Sequence, residues 1–168
     1  IYLAGPDVFL PDQVQHFNSK KTIITQLGIT GSAPLDAEFD FELAQEWALK
    51  DGNNPKMREI IYNANTKLME ANRFALLHLT PFHGPIADSG TVFEAGYMAG
   101  KDDFMQRKLG IFAYSNNCEE DLAERIDSWN KQDNGPNYGG DQVVIDMYKG
   151  VNASPMIDGA IYSIGGAL

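Results

Sequence analysis

The sequence predicts a single doubly wound α/β domain: a flavodoxin- or Rossmann-like parallel sheet with helices on both faces. Two patterns carry this expectation. Short apolar runs bounded by Gly or Pro recur along the chain, and stretches of helical periodicity separate them. Size agrees, because 168 residues with 43% apolar content can bury about 70% of the surface of the unfolded chain in one core. In such a sheet the ligand crevice opens at the carboxyl ends of the strands.

The first strand is read from Tyr2-Leu3-Ala4, closed by Gly5-Pro6. Val14, Phe17, Ile24 and Leu27 then fall at helical spacing, with Asp12 as N-cap and Gly28 as stop. Ser32 to Leu35 reads as a brief second strand, followed by an acidic and aromatic loop with one short helix that ends at Pro55. Met57, Ile60, Ile61, Ala64, Leu68 and Ala71 set an amphipathic helix over residues 56 to 71. Residues 73 to 80 form a central strand, 108 to 114 another, and Glu119 to Lys131 a helix with Leu122, Ile126 and Trp129 on one side. Residues 133 to 140 are expected to connect loosely, and 141 to 168 to form a tail punctuated by Gly and Pro. The first residue is Ile1 rather than Met, so a short leader ahead of it is expected.

Twenty-three acidic against thirteen basic residues give a formal charge of −10, which repels phosphate backbones and anionic lipid. A nucleic-acid polymer is therefore not an expected partner. The lone cysteine, Cys118, excludes a disulfide framework and suits a reducing, cytoplasmic setting. No apolar run approaches the roughly 20 residues that span a bilayer, and no signal-peptide pattern opens the chain, so no membrane association is expected. His16, His78 and His83 fall on a helix, a strand and a loop, a spread that argues against a metal site. No phosphate-cradling glycine loop or hydrolytic triad is legible.

The chemistry concentrates in Pro85 to Tyr97, PIADSGTVFEAGY. The turn after the central strand and the helix it feeds lie at the crevice, so Asp88 and Glu94 belong to the expected binding site. An alternative gives each a plainer role, with Asp88 as N-cap and Glu94 as a solvated helix residue. Against the plainer role stand the apolar neighbours of Glu94, because a carboxylate among Val92, Phe93, Ala95 and Tyr97 costs free energy unless it is paired or working.

Four segments together resemble the nucleoside 2-deoxyribosyltransferase family: Tyr2 to Pro6 with Phe9; Thr80 to Gly84; Asp88 to Gly96; and Met156 to Ala160. The most specific is the Asp-x-Gly-x-x-x-Glu-x-Gly pattern of Asp88, Gly90, Glu94 and Gly96. The resemblance implies a cofactor-independent transferase that exchanges the base of 2′-deoxyribonucleosides. Glu94 is then the nucleophile that forms a deoxyribosyl ester, Tyr2 orients it, and Asp88 accepts a hydrogen bond from the 5′-hydroxyl. Phe9 is a wall for the base. Where better-known members carry an Asp that protonates the leaving base, this chain has Asn65, which donates a hydrogen bond but no proton at neutral pH. Asp36 is the acidic alternative for that role, with water as another. The tail resembles a segment that completes a neighbouring subunit's site, with Met156 retained, Ser154 in place of the usual Asn, and Asn152 as its substitute. The implied partners are small nucleosides, free bases and further copies of the chain. Two rival readings stay open: a 5′-monophosphate N-glycosidase, disfavoured because Asp88 would repel phosphate, and a noncatalytic nucleoside-binding domain.

Overall fold

The computed structural model describes residues 1–37, 55–105, 110–117, 119–132, 145–146 and 148–167, with 55 and 102–105 by backbone alone. Three parallel strands form the sheet: β1 (Tyr2–Ala4), β2 (Phe74–His78) and β3 (Gly110–Tyr114), in the lateral order β1-β2-β3. Tyr2 faces Ala75 across the first pair and Leu76 faces Phe112 across the second. Ser32 adds a single parallel bridge outside Tyr2, and Ala167 adds one outside Phe112. Counting these two edges, the order of segments is that of the flavodoxin-like doubly wound sheet, whose switch point lies between β1 and β2. The fold class is the one the alternation predicts.

Helices α1 (Gln13–Gln26), α2 (Pro55–Ala71), α3 (Ser89–Met105), α4 (Leu122–Lys131) and α5 (Pro155–Ser163) complete the framework, with 3-10 turns at Pro6–Phe9 and Pro34–Asp36. The two-residue period of the strands divides the core. Tyr2, Ala4, Ala75, Leu77 and Ile111 pack with Met69 of α2, Met98 of α3 and Ile161 of α5. On the opposite face Leu3 and Leu76 meet Phe17 and Ile24 of α1. A smaller cluster holds Leu122, Ala123 and Ile126 of α4 against Ile145.

Several expectations are corrected. Ser32 to Leu35 is not a strand: Ser32 makes one bridge and Pro34, which has no N–H to donate, starts a 3-10 turn instead. On α1 only Phe17 and Ile24 of the expected stripe are buried, while Val14 and Leu27 are largely exposed. Asp12 precedes α1 without a side-chain cap and pairs with His16 instead, at 3.3 Å. On α2 the deepest residues are Thr66 and Met69, and Ile61 is exposed. Within the tail, α5 contributes Ile157 and Ile161 to the main core. Asp158 organises its start by accepting the N–H groups of Asn152, Ala153 and Ser154 at 2.8, 3.1 and 3.4 Å. The expected loop and helix over 38–54, the start of the strand at 108, Cys118 and the connection over 133–140 lie outside the described residues. Among those described, no helix is long and apolar enough to cross a membrane.

The tail is thus a structural element, and truncating it removes core. Ile161 is 0% and Met156 83% exposed; Ile161→Ala should cost roughly 3 kcal/mol and Met156→Ala less than about 0.5 kcal/mol. Urea denaturation of both variants measures the contrast, and equal losses would place Ile161 outside the core.

Candidate active site

Tyr2 is wholly buried on β1, on the same sheet face as α3. Its phenol Oη donates to Glu94 Oε1 at 2.5 Å. Glu94 reaches that position because β2 feeds a turn that leads directly into α3. Asp88 caps the helix: its Oδ2 accepts the Thr91 N–H at 2.8 Å and the Thr91 hydroxyl at 3.0 Å. A Cβ on Gly90 would stand 3.0 Å from that same Asp88 oxygen, so a small residue there lets the carboxylate fold onto the helix start.

A cavity of about 630 Å³ opens at this end of the sheet. It is lined by Gly5, Val8 and Phe9 beyond β1, by Leu35 and Ala37, by Asn65 of α2, and by Asp88, Gly90 and Glu94. Phe9, 61% exposed, stacks on Phe82 with ring centroids 5.2 Å apart and planes at 17°, which leaves a flat aromatic wall. A smaller space of about 290 Å³ between α2 and α3 also touches Asn65, Gly90 and Glu94. Among the described residues, no Lys, Arg or His lines the main cavity, and no group of three or more His, Cys, Asp or Glu is placed to hold a metal ion.

Glu94 is 8% exposed. Burial raises its pKa from the ordinary 4.5 to about 7; the hydrogen bond from Tyr2 pulls it down and the charge of Asp88 pushes it up. Burial and then the neighbouring Glu94 charge hold the Tyr2 phenol well above its usual range, so it remains a donor. The arrangement is a desolvated carboxylate near the middle of the pH range, aimed by a fixed donor and open to a cavity of small-molecule size. Such a group can act as a nucleophile.

Tyr2, Glu94, Asp88, Gly90, Asn65 and Phe9 therefore meet at one place. The plainer role of Asp88 is present together with its place at the cavity, since only one of its oxygens is engaged in the cap. Asp36 is not part of the wall: Lys21 holds its carboxylate at 2.5 Å and it accepts the Ala33 N–H at 2.8 Å. Asn152, Ser154 and Met156 also lie off the cavity of their own chain. Ser154 caps α5 by accepting the Ile157 N–H at 3.2 Å, and Asn152 gives its carbonyl to Arg125. Thr91, 1% exposed, and Gln13 at the start of α1 were not singled out from sequence. The signals were present: Thr91 stands three residues after a capping Asp, and Gln13 opens the helix that follows the first crevice loop.

A family model described as nucleoside 2-deoxyribosyltransferase matches residues 1–134. An uncharacterised protein of Schizosaccharomyces pombe is 34% identical over 102 residues, which is 60% of this chain and 45% of that protein. Among solved structures, a 2-desoxiribosyltransferase from Leishmania mexicana shares the fold with a TM-score of 0.50 and 23% identity, covering 69% of this chain and 63% of that one. The chain spans less than half of the curated relative's length and less than two thirds of the solved structure's.

A raised carboxyl pKa in the folded state has a stability signature. The folded protein retains a proton on Glu94 between pH 4.5 and about 7 that the unfolded chain releases, so stability falls as pH rises through that window. Glu94→Gln should therefore be more stable than the wild type at pH 8, by on the order of 2 kcal/mol, and no different at pH 4.5. Thermal denaturation at several pH values tests this, and a pH-independent difference would refute the buried, raised carboxyl.

Proposed function

This chain belongs to the nucleoside 2-deoxyribosyltransferase family, and from that premise we propose that it exchanges the base of 2′-deoxyribonucleosides through a deoxyribosyl ester on Glu94. One observation carries the reading: a buried carboxylate, held by Tyr2, opens onto a cavity with one aromatic wall. The Glu94 carboxylate attacks the anomeric carbon, the bond from carbon to base nitrogen breaks, and the base leaves with the electron pair. An incoming base then attacks from the vacated side, the ester bond breaks, and the carboxylate is restored. Two displacements retain configuration. The absence of a 2′-hydroxyl eases positive charge on the sugar carbon, and the carboxylate stabilises that charge before it bonds.

The other residues follow from their positions. Phe9 stacks against the base. Asn65 donates a hydrogen bond to the leaving base, and water supplies the proton that Asn cannot. Asp88, with one oxygen outside the helix cap, accepts from the 5′-hydroxyl. A phosphate there would meet Asp88 and Glu94 with no cation on the described wall, which favours nucleosides over 5′-monophosphates and transfer over the N-glycosidase reading. Met156, exposed and not on the wall of its own cavity, completes the site of a second copy together with Ser154 and Asn152. Association that depends on this segment is measured by light scattering and activity of Met156→Ala, and full activity of that variant would remove the shared site.

Glu94→Gln should abolish exchange of deoxyinosine or thymidine with a free base, read by chromatography. A 2-fluoro-2-deoxy nucleoside should leave one sugar mass on the peptide carrying Glu94; label on another peptide would move the nucleophile elsewhere. Because attack needs the ionised form, kcat/KM should rise with pH through about 7. In Tyr2→Phe the rising limb should move to higher pH, since the hydrogen bond that favours the charged form is gone.

Asp88→Ser should lower turnover of nucleosides and relax exclusion of 5′-monophosphates. A wild type that already prefers monophosphates would reverse the assignment.

A further inference from the structure

A second carboxylate is buried at the same end of the sheet. Asp7, 2% exposed, sits in the 3-10 turn Pro6–Phe9, which follows β1 and carries Val8 and Phe9 into the cavity wall. Asp7 itself is not part of that wall. Its Oδ2 accepts Lys20 Nζ of α1 at 2.6 Å and His78 Nδ1 of β2 at 2.9 Å. A carboxylate only accepts, so Nδ1 carries a proton, and Nε2 lies within hydrogen-bond distance of the Thr80 hydroxyl, at 2.7 Å. Thr80 in turn accepts the Asn116 N–H at 2.7 Å, from the loop after β3. The Tyr114 ring of β3 stacks on His78 with centroids 4.7 Å apart, and Lys20 Nζ lies 5.5 Å from the centre of the same ring.

This cluster joins the turn to α1, β2, β3 and the loop beyond β3. The chain can approach β2 so closely only because residue 5 is glycine: a Cβ there would lie 2.6 Å from His78 Cβ and 2.8 Å from Asp7 Oδ2. Burial alone would raise the Asp7 pKa, but the hydrogen bonds and charges of Lys20 and His78 outweigh it and hold the carboxyl below its usual range. The charge is retained across neutral pH.

We propose that Asp7 is a positioning residue: through Lys20 and His78 it fixes the Pro6–Phe9 turn, and so sets where Phe9 presents its ring to a substrate base. Its kinetic consequence rests on the proposed base exchange, whereas its structural consequence does not. Asp7 makes no contact with the cavity and acts on substrate only through Phe9 and the backbone of the turn. The chemistry at Glu94 proceeds on the opposite face of β1 and is left unaffected.

The test uses Lys20→Met, Lys20→Arg, Asp7→Asn, Phe9→Ala and the double variant Lys20→Met with Phe9→Ala, with circular dichroism to verify folding. Lys20 is the gentlest entry because its side chain is 22% exposed, and its loss leaves Asp7 able to keep His78. In the ligand-free protein, amide hydrogen exchange over Val8 to Leu10 should quicken about tenfold in Lys20→Met while α3 stays protected, and Lys20→Arg should restore protection. With a deoxynucleoside donor, KM should rise about fivefold with kcat within about twofold, and this effect should vanish in the Phe9→Ala background. Asp7→Asn should show the same pattern more strongly wherever it folds. Unchanged exchange at the turn, or a KM effect of the same size with and without Phe9, overturns the proposal. A wild type that neither turns over nor binds deoxynucleosides refutes the proposed function instead, and the exchange measurement then decides this inference alone.

Discussion

The hydrogen bond from Tyr2 to Glu94 joins residues 92 positions apart, and it exists only if the parallel register of β1 and β2 is right. Tyr2 lies opposite Ala75, and β2 ends in the turn that launches α3. A shift of one residue along β1 would turn the phenol to the α1 face and leave Glu94 buried without its donor. An unpartnered carboxylate at 8% exposure would bind its proton more firmly. Sheet register and chemistry are one constraint here.

Two buried carboxylates stand at the same pole of this sheet and are treated in opposite ways. Asp7 receives a lysine and a histidine, and its charge is secured. Glu94 receives one neutral donor and the adverse charge of Asp88, and its charge is left conditional. Pairing suits a residue that must stay fixed. Incomplete solvation leaves a carboxylate more reactive, because full stabilisation of its charge would lower its reactivity. The sheet separates the two carboxylates, so the Lys20 and His78 that settle Asp7 on the α1 side are not on the described wall of the Glu94 cavity.

The alternation of strand and helix was legible because β1, β2 and β3 read as short, nearly continuous apolar runs, although Phe74 and Phe112 are exposed. Convergence of Asp88 and Glu94 was also legible, since the turn after a central strand must open at the crevice. Periodicity failed on the short elements. Ser32 to Leu35 has the composition of a strand, but Pro34 stops the pairing after one residue. Helix α5 is only Pro155–Ser163, with two glycines nearby and little periodicity, so its burial depends on partners distant in sequence. The contact of Asp36 was not legible for a related reason. A carboxylate beside an expected strand end suggests a crevice, and the 3-10 turn brings it to Lys21. Asn65 shows the converse, since nothing in its helix pattern separates a cavity residue from a flank residue until α3 is placed opposite.

The one-residue bridge at Ser32 bears on how copies of this chain can meet. Leu3 N–H is taken by the Ser32 carbonyl, and the Ser32 N–H by the carbonyl of Ile1, so the outer edge of β1 is occupied where Tyr2 sits. The next position but one is Pro34, which offers no N–H, and the chain then coils into the turn Pro34–Asp36. A foreign strand finds no ladder to extend on that side. Contact between protein molecules there is left to side chains, which can dissociate without disturbing the pairing that aims the Tyr2 phenol.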